Sequence, residues 1–142
     1  MVKEKGRKQH FFYVDVAEQI GVIPALLLEY FRYWVHNNSI YRAEETYKDG
    51  KYWTYGSVAY IKQRFPYLTV KQVQTGISKL ISEGLIETGN YNKKAYDRTK
   101  WYTLTEKANL ILSEEDPESD DYLIKDNNDT KNNKKREYER AF

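Results

Sequence analysis

The most regular hydrophobic pattern in the chain lies between Val70 and Ser82. Apolar side chains recur there at the three- and four-residue spacing of an amphipathic helix, at Val70, Val73, Ile77, Leu80 and Ile81. Thr69 precedes this run and Gln72 follows it by three residues, which is the spacing of a capping box. Gly84 supplies a C-terminal stop. The pattern predicts a helix over residues 70–82 that turns the five apolar side chains toward a core.

A second and more apolar helix is predicted from Pro24, because proline is favoured at the first helical position. Its apolar residues lie on nearly every side of the helix, at Leu26, Leu27, Leu28, Tyr30, Phe31, Tyr33, Trp34 and Val35. Such a helix is either central in its domain or in contact with a partner. We expect it to end near His36–Asn38, and we expect Val14–Ile20 to form a short helical turn closed by Gly21.

The remaining elements complete a recognisable order. Asp49-Gly50 predicts a hairpin turn between Glu45–Lys48 and Lys51–Thr54, because both turn positions tolerate a positive φ. A helix from Ser57 to Arg64 or Phe65 is expected to end before Pro66. Strands are predicted at residues 85–89 and 99–104, and a last helix from Thr105. This order is that of a winged helix-turn-helix. We therefore expect an α+β domain, mainly α, with a C-terminal β-hairpin wing and an extra hairpin strand between the first helices.

Charge and composition divide the chain into three parts. Residues 1–10 form a basic arm with four Lys and Arg against one Glu. Residues 11–113, the predicted winged-helix domain, hold 13 Lys and Arg against 10 Asp and Glu. Residues 114–142 hold 6 against 10, and six of the eight residues in 114–121 are acidic. The acidic and Asn/Lys-rich composition of this last segment predicts a flexible tail, because it offers little apolar surface to bury.

Several function classes do not fit this sequence. It has no cysteine and only two histidines, His10 and His36, so disulfides and thiol catalysis are excluded and no metal site is expected. No apolar run approaches the ~18 residues of a membrane span, and residues 1–10 do not resemble a signal peptide. No Ser, His and carboxylate arrangement indicates a catalytic triad. We expect a cytoplasmic binding protein with no membrane partner, no cofactor and no enzymatic activity.

The polar face of the predicted helix over residues 70–82 favours duplex DNA as the partner. No acidic residue occurs from Thr69 to Ser82, and glutamine can bind adenine through two hydrogen bonds while lysine binds phosphate. The alternative is an ordinary solvated surface, although such surfaces usually carry Glu–Lys pairs four residues apart. The candidate DNA contacts on this helix are Thr69, Lys71, Gln72, Gln74, Thr75, Ser78, Lys79 and Ser82.

The loop between the last two predicted strands carries a second set of candidates. Four cations in residues 93–100 stand against Asp97 alone. A basic hairpin tip beside a recognition helix can follow the phosphate backbone or enter the minor groove, whereas the alternative is a solvated loop. The candidate contacts here are Asn92, Lys93, Lys94, Tyr96, Arg98 and Lys100. The aromatic residues Trp53, Trp101 and Tyr102 fit strand packing better than a platform for stacking bases.

Five blocks of the sequence form a recognisable pattern: Asp49–Tyr55, Phe65–Thr69, Gly84–Ile86, Gly89–Lys93 and Ala95–Tyr102. Together they resemble the N-terminal domain of phage replisome-organiser and DnaD-like replication initiation proteins, and the last two blocks are the more specific. The resemblance covers about residues 11–107. It implies a winged-helix domain that binds replication-origin DNA or self-associates, with DNA contacts at Lys71, Gln74, Thr75, Ser78, Lys93, Lys94 and Arg98. Family members usually continue into a domain that engages helicase-loading machinery. An acidic, Asn-rich segment follows here instead, so helicase loading is not implied.

Two other functions and two assembly states stay open at this point. The same fold suits a transcriptional regulator, or a winged helix that binds only protein, such as other replication proteins.

In the helix from Pro24, four residues are expected to fill the core: Leu27, Tyr30, Phe31 and Trp34. That leaves Leu26, Tyr33 and Leu28 on other sides. Phe11, Phe12 and Val14 would cover them within one chain. If the cover is partial, a two-fold homodimer through this helix would hide the remainder.

Overall fold

The computed structural model describes residues 7–113 and places six helices and five short strands in that range. The helices are α1 (Val14–Ile20), α2 (Val22–Tyr41), α3 (Ala43–Thr46), α4 (Val58–Lys62), α5 (Val70–Ser82) and α6 (Glu106–Ser113). The strands are β1 (Tyr47–Lys48), β2 (Lys51–Tyr52), β3 (Thr54–Tyr55), β4 (Ile86–Gly89) and β5 (Trp101–Leu104). This content confirms the α+β class. The prediction of a flexible tail over residues 114–142, and most of the predicted basic arm, lie outside the described residues.

Helix α2 lies at the centre of the fold, because other elements of the same chain cover it. It packs against α1, α3, α5, β2, β3 and β5. Leu27, Leu28 and Phe31 are fully buried, and Leu26 is only 7% exposed. The prediction that Leu26 and Leu28 leave apolar surface on other sides of the helix is therefore wrong. A homodimer through this helix stays a prediction, but these two side chains no longer support it.

The other residues named in that prediction have different environments. Phe11, Tyr33 and Trp34 are half-buried and pack against the core. Phe12 is 36% exposed and Val14 is 70% exposed. Burial of α2 therefore comes mainly from the helices and strands around it.

Helix α2 continues beyond its predicted end at His36–Asn38 and ends at Tyr41. Asn38 is buried, and its side-chain amide donates a hydrogen bond to the carbonyl oxygen of Trp53 at 3.0 Å. Asparagine usually disfavours a helix because its side chain competes for local backbone groups. Here the amide has a partner in another element, so the residue stays helical. The backbone N–H of Arg42 then donates to the Asn38 carbonyl oxygen.

The predicted hairpin turn at Asp49-Gly50 is confirmed. Both residues have positive φ, 51° at Asp49 and 78° at Gly50, and β1 pairs antiparallel with β2. The first strand is shorter than predicted because residues 43–46 form α3 instead. Thr46 is buried there, and its hydroxyl donates to the Arg42 carbonyl oxygen at 2.8 Å. A helical turn thus replaces the expected extended arm.

A second sheet has the strand order β3-β5-β4, with both pairs antiparallel. Its central strand β5 is buried along its whole length. The ring of Tyr102 on β5 lies 4.9 Å from the ring of Phe31 on α2, so the sheet packs directly on the central helix. Helix α4 begins where the Ser57 hydroxyl accepts from the Tyr60 N–H at 3.1 Å, and it ends earlier than predicted, at Lys62.

Candidate nucleic-acid interface

The start of α5 is held by the predicted capping box. The Thr69 hydroxyl accepts a hydrogen bond from the Gln72 N–H at 3.0 Å, and the Gln72 side-chain oxygen accepts from the Thr69 N–H at 2.9 Å. Both side chains satisfy backbone groups that the helix itself leaves unpaired. These two predicted DNA contacts therefore have a structural role at the helix N-terminus.

The orientation of α5 is set by its packing on α2. Val73, Ile77 and Leu80 are buried. Gly76 is buried as well, and a Cβ atom added to it would lie 2.5 Å from a methyl group of Leu27. The two helices are thus too close at this point for a larger residue. Six of the predicted contacts on α5 are exposed on its other sides: Lys71, Gln74, Thr75, Ser78, Lys79 and Ser82.

Two apolar residues of α5 were predicted to face the core, but the structure shows them exposed. Val70 is 45% exposed and Ile81 is 42% exposed. They lie at the edge of the apolar stripe, on the side of α5 that carries Gln74, whereas Leu80, next to Ile81 in the sequence, is fully buried. Periodicity alone does not show this, because it does not tell how wide a part of the apolar stripe the neighbouring elements cover.

The loop over residues 90–100 is organised by one asparagine side chain. The two amide hydrogens of Asn92 donate to the carbonyl oxygens of Asp97 and Thr99, at 2.9 and 2.8 Å. Its side-chain oxygen accepts from the indole N–H of Trp101 at 2.8 Å. Asn92 is one of the predicted DNA contacts, and its two amide donors are used within the loop, so its side chain has a structural role there.

Asp97 also stabilises the loop. One of its carboxylate oxygens accepts from the Thr99 N–H at 3.0 Å. That hydrogen bond, together with the Thr99 side chain and the nearby charge of Lys94, lowers the pKa of Asp97. The carboxylate is therefore ionised at neutral pH, and it is the one acidic group on a loop that otherwise carries cations.

Tyr91 anchors the beginning of the same loop. Its ring packs against Trp53 and Trp101, with centroid distances of 5.0 and 5.5 Å. Its hydroxyl donates to the Asp49 carboxylate at 2.5 Å, and this hydrogen bond raises the pKa of Tyr91 to about 12. The loop is thereby attached to the turn between β1 and β2. The aromatic residues here pack against one another, as the sequence indicated.

The cations of the loop remain on its surface. Lys93, Lys94, Arg98 and Lys100 are all exposed. The Lys94 ammonium lies 5.7 Å from the ring centroid of Tyr96, which is itself 76% exposed. Exposed cations of this kind are accessible to phosphate groups in the free protein.

A cleft of about 620 Å³ separates the outer face of α5 from the end of this loop. Gln74, Ser78 and Ile81 line it on the helix side, with Ile77 beside them, and Asp97–Lys100 line it on the loop side. Four predicted contacts thus lie around one cleft: Gln74, Ser78, Arg98 and Lys100. The other predicted contacts do not line it: Thr69, Lys71, Gln72, Thr75, Lys79, Ser82, Asn92, Lys93, Lys94 and Tyr96.

The cleft also includes residues that the sequence did not indicate. Gly56, Ser57 and Val58, at the start of α4, line one end of it, and Tyr102 of β5 lines it as well. Tyr102 is buried, which raises the pKa of its hydroxyl and keeps that group neutral. The sequence predicts that a helix begins at Ser57, but no sequence pattern predicts that Ser57 lies opposite α5.

No family model, curated protein or solved structure matches the chain. Within residues 7–113, none of the helices combines the length and apolar character that crossing a bilayer requires.

Proposed function

We propose that this chain binds double-stranded DNA, with α5 as the recognition helix and the loop over residues 90–100 as the wing of a winged-helix domain. The observation that carries the proposal is the shared cleft. Gln74 and Ser78 on α5 face the same space as Arg98 and Lys100 on the loop. Hydrogen-bonding groups that suit base edges therefore stand beside cations that suit phosphates.

The arrangement of elements supports this fold assignment. Helices α4 and α5 are joined by the seven residues 63–69, and β4 and β5 follow α5 as an antiparallel pair. Strand β3, which precedes α4, joins this pair as a third strand through β5. A helix-turn-helix followed by a hairpin presents a helix to the major groove and a loop to the adjacent backbone.

The charge on α5 supports a DNA-binding role for its polar face over that of an ordinary solvated surface. From Thr69 to Ser82 the helix carries Lys71 and Lys79 and no acidic residue. Its exposed surface would therefore not repel phosphates. The one carboxylate on the opposite side of the cleft, Asp97, is engaged by the Thr99 N–H.

Within this function, we place the protein in replication initiation, as an origin-binding or replisome-organising protein. The support is the resemblance of blocks such as Gly89–Lys93 and Ala95–Tyr102 to phage replisome-organiser and DnaD-like proteins. Sequencing of genomic fragments that the protein binds tests this. Enrichment of an origin supports the proposal, and enrichment of promoters indicates a transcriptional regulator.

Fluorescence anisotropy with a mixed-sequence duplex tests DNA binding itself. One helix and one wing would neutralise about 3 to 5 phosphates, so log affinity should fall against log salt with a slope of about −3 to −4 per domain. Absence of binding at low salt, or binding that salt does not weaken, would refute the proposal and favour a winged helix that binds only protein.

A matched pair of variants tests the role of the helix. Gln74→Ala should lower the discrimination between a selected and a random duplex by about 1–3 kcal/mol, the value of a bidentate base contact. Gln19→Ala removes an exposed glutamine from α1 that does not line the cleft, and it should leave discrimination unchanged. Equal effects of the two substitutions would contradict the assignment of α5 as the recognition helix.

A further inference from the structure

Two exposed aliphatic side chains lie on the helix face that carries Gln74. Val70 precedes Gln74 by four residues and Ile81 follows it by seven, so all three share one side of α5. Both aliphatic residues are more than two-fifths exposed, and Ile81 lines the cleft together with Gln74. Single exposed aliphatic residues are common on protein surfaces. A pair that flanks a glutamine at helical spacing, beside a cleft bordered by cations, is a more specific feature.

The length of this outer stripe of α5, formed by Val70, Gln74 and Ile81, suits the major groove. Ile81 lies eleven positions after Val70, which corresponds to about 16 Å along the helix axis. Ser78 lies between Gln74 and Ile81 on the side toward the cleft. The helix thus presents methyl groups near both ends of a surface whose middle offers an amide and a hydroxyl.

The base edges in the major groove include one apolar group, the 5-methyl group of thymine. Adenine, its partner in the base pair, offers the acceptor and donor that a glutamine side chain can match. An A·T pair therefore presents both kinds of surface that the stripe carries. A G·C pair presents the hydrogen-bonding groups without the methyl group.

We infer that α5 recognises A·T pairs, with Val70 and Ile81 in contact with thymine methyl groups and Gln74 hydrogen-bonded to adenine. This inference rests on the proposed function, because it requires α5 to enter the major groove. It specifies the base composition of the target, which the proposed function leaves open.

Replacement of thymine by uracil tests the inference, because it removes the methyl group and keeps every hydrogen-bonding group. Anisotropy titrations at low salt would compare a 20-base-pair A·T-rich duplex with the same duplex containing uracil in place of thymine. Removal of one apolar carbon from water changes affinity by about fourfold. The wild-type protein should therefore bind the thymine duplex about 4- to 15-fold more tightly, for one or two methyl contacts.

The double variant V70A/I81A should lose this preference, and its salt slope should stay that of the wild-type protein. Both residues are exposed, so the substitutions are expected to leave the fold intact. Leu110→Ala is the matched control, because Leu110 is an exposed aliphatic residue on α6 that does not line the cleft. It should keep the preference for thymine.

The outcomes separate this inference from the proposed function. Equal affinity of the wild-type protein for the two duplexes, with salt-dependent binding retained, would overturn methyl recognition and leave DNA binding in place. A preference for thymine that persists in V70A/I81A would also overturn it, because the preference would then come from the shape of the duplex. Absence of binding to either duplex at low salt would overturn the proposed function itself.

Discussion

Substitution of Asn92 by alanine would remove three hydrogen bonds from the loop beside the cleft at once. Two of them join the Asn92 amide to the carbonyl oxygens of Asp97 and Thr99, and the third joins the Trp101 indole N–H to the Asn92 oxygen. Trp101 is only 6% exposed, so its N–H would lose its partner in a place that water reaches poorly. The loop would also lose the connection between its two ends.

The expected size of the effect follows from these contacts. A buried donor without a partner costs about 1–3 kcal/mol, and each of the two more accessible amide bonds contributes about 0.5–1.5 kcal/mol. Since these terms overlap, we expect Asn92→Ala to lower the free energy of unfolding by about 2–4 kcal/mol. For a domain of this size, each kcal/mol corresponds to about 4–8 °C in Tm. The loss should therefore be large in both thermal and urea unfolding.

Asn90→Ala provides the matched control in the same loop. The Asn90 side chain is exposed and accepts one hydrogen bond, from the Asn92 N–H at 3.1 Å, so its loss should cost less than about 1 kcal/mol. The indole N–H signal of Trp101 in a ¹H–¹⁵N spectrum reports on the loop directly. It should shift strongly in Asn92→Ala and little in Asn90→Ala. The structural role given to Asn92 is wrong if the free energy of unfolding of Asn92→Ala differs from the wild-type value by less than about 0.5 kcal/mol, as after an ordinary surface substitution.

Three further predictions concern the helix and the loop separately. Gly76→Ala should destabilise the protein by about 1 kcal/mol in urea unfolding. Overpacking against the buried Leu27 side chain costs about 1–3 kcal/mol, which exceeds the ~1 kcal/mol gained in helix propensity. A variant more stable than the wild-type protein would contradict the close contact. Thr69→Ala should cost about 1 kcal/mol in the same assay through loss of the capping box. Lys93→Ala combined with Lys94→Ala should weaken binding to all duplexes alike and flatten the salt slope, measured by anisotropy; a change in sequence preference would indicate base contacts instead.

The features that the sequence predicted correctly depend on neighbouring residues alone. The hairpin turn is determined by two adjacent residues, Asp49 and Gly50, and the capping box by two residues three positions apart, Thr69 and Gln72. The helix over Val14–Ile20 ends at Gly21, as expected. In each case the backbone has one locally favoured conformation, and the surrounding fold does not oppose it.

The features that the sequence did not predict depend on contacts between distant segments. Asn38 stays helical because its amide reaches the Trp53 carbonyl oxygen, 15 residues away. Asn92 has a structural role because Trp101, nine residues along the chain, comes back to it. Ile81 is exposed because it lies at the edge of the buried stripe, on the side of α5 that lines the cleft, whereas its neighbour Leu80 is fully buried. Local patterns indicate which groups can form a contact, but not whether a partner is present.

The apolar character of α2 now has an explanation that also accounts for the geometry of the cleft. On one side α2 holds α5, through the close approach at Gly76. It also holds the central strand β5, through the contact between Phe31 and Tyr102. The loop over residues 90–100 enters β5 directly, and its conformation depends on Trp101 at the start of that strand. Both sides of the cleft are therefore positioned from one buried helix. A helix that supports two elements in this way must be apolar on several faces, whether or not it contacts a second copy of the chain.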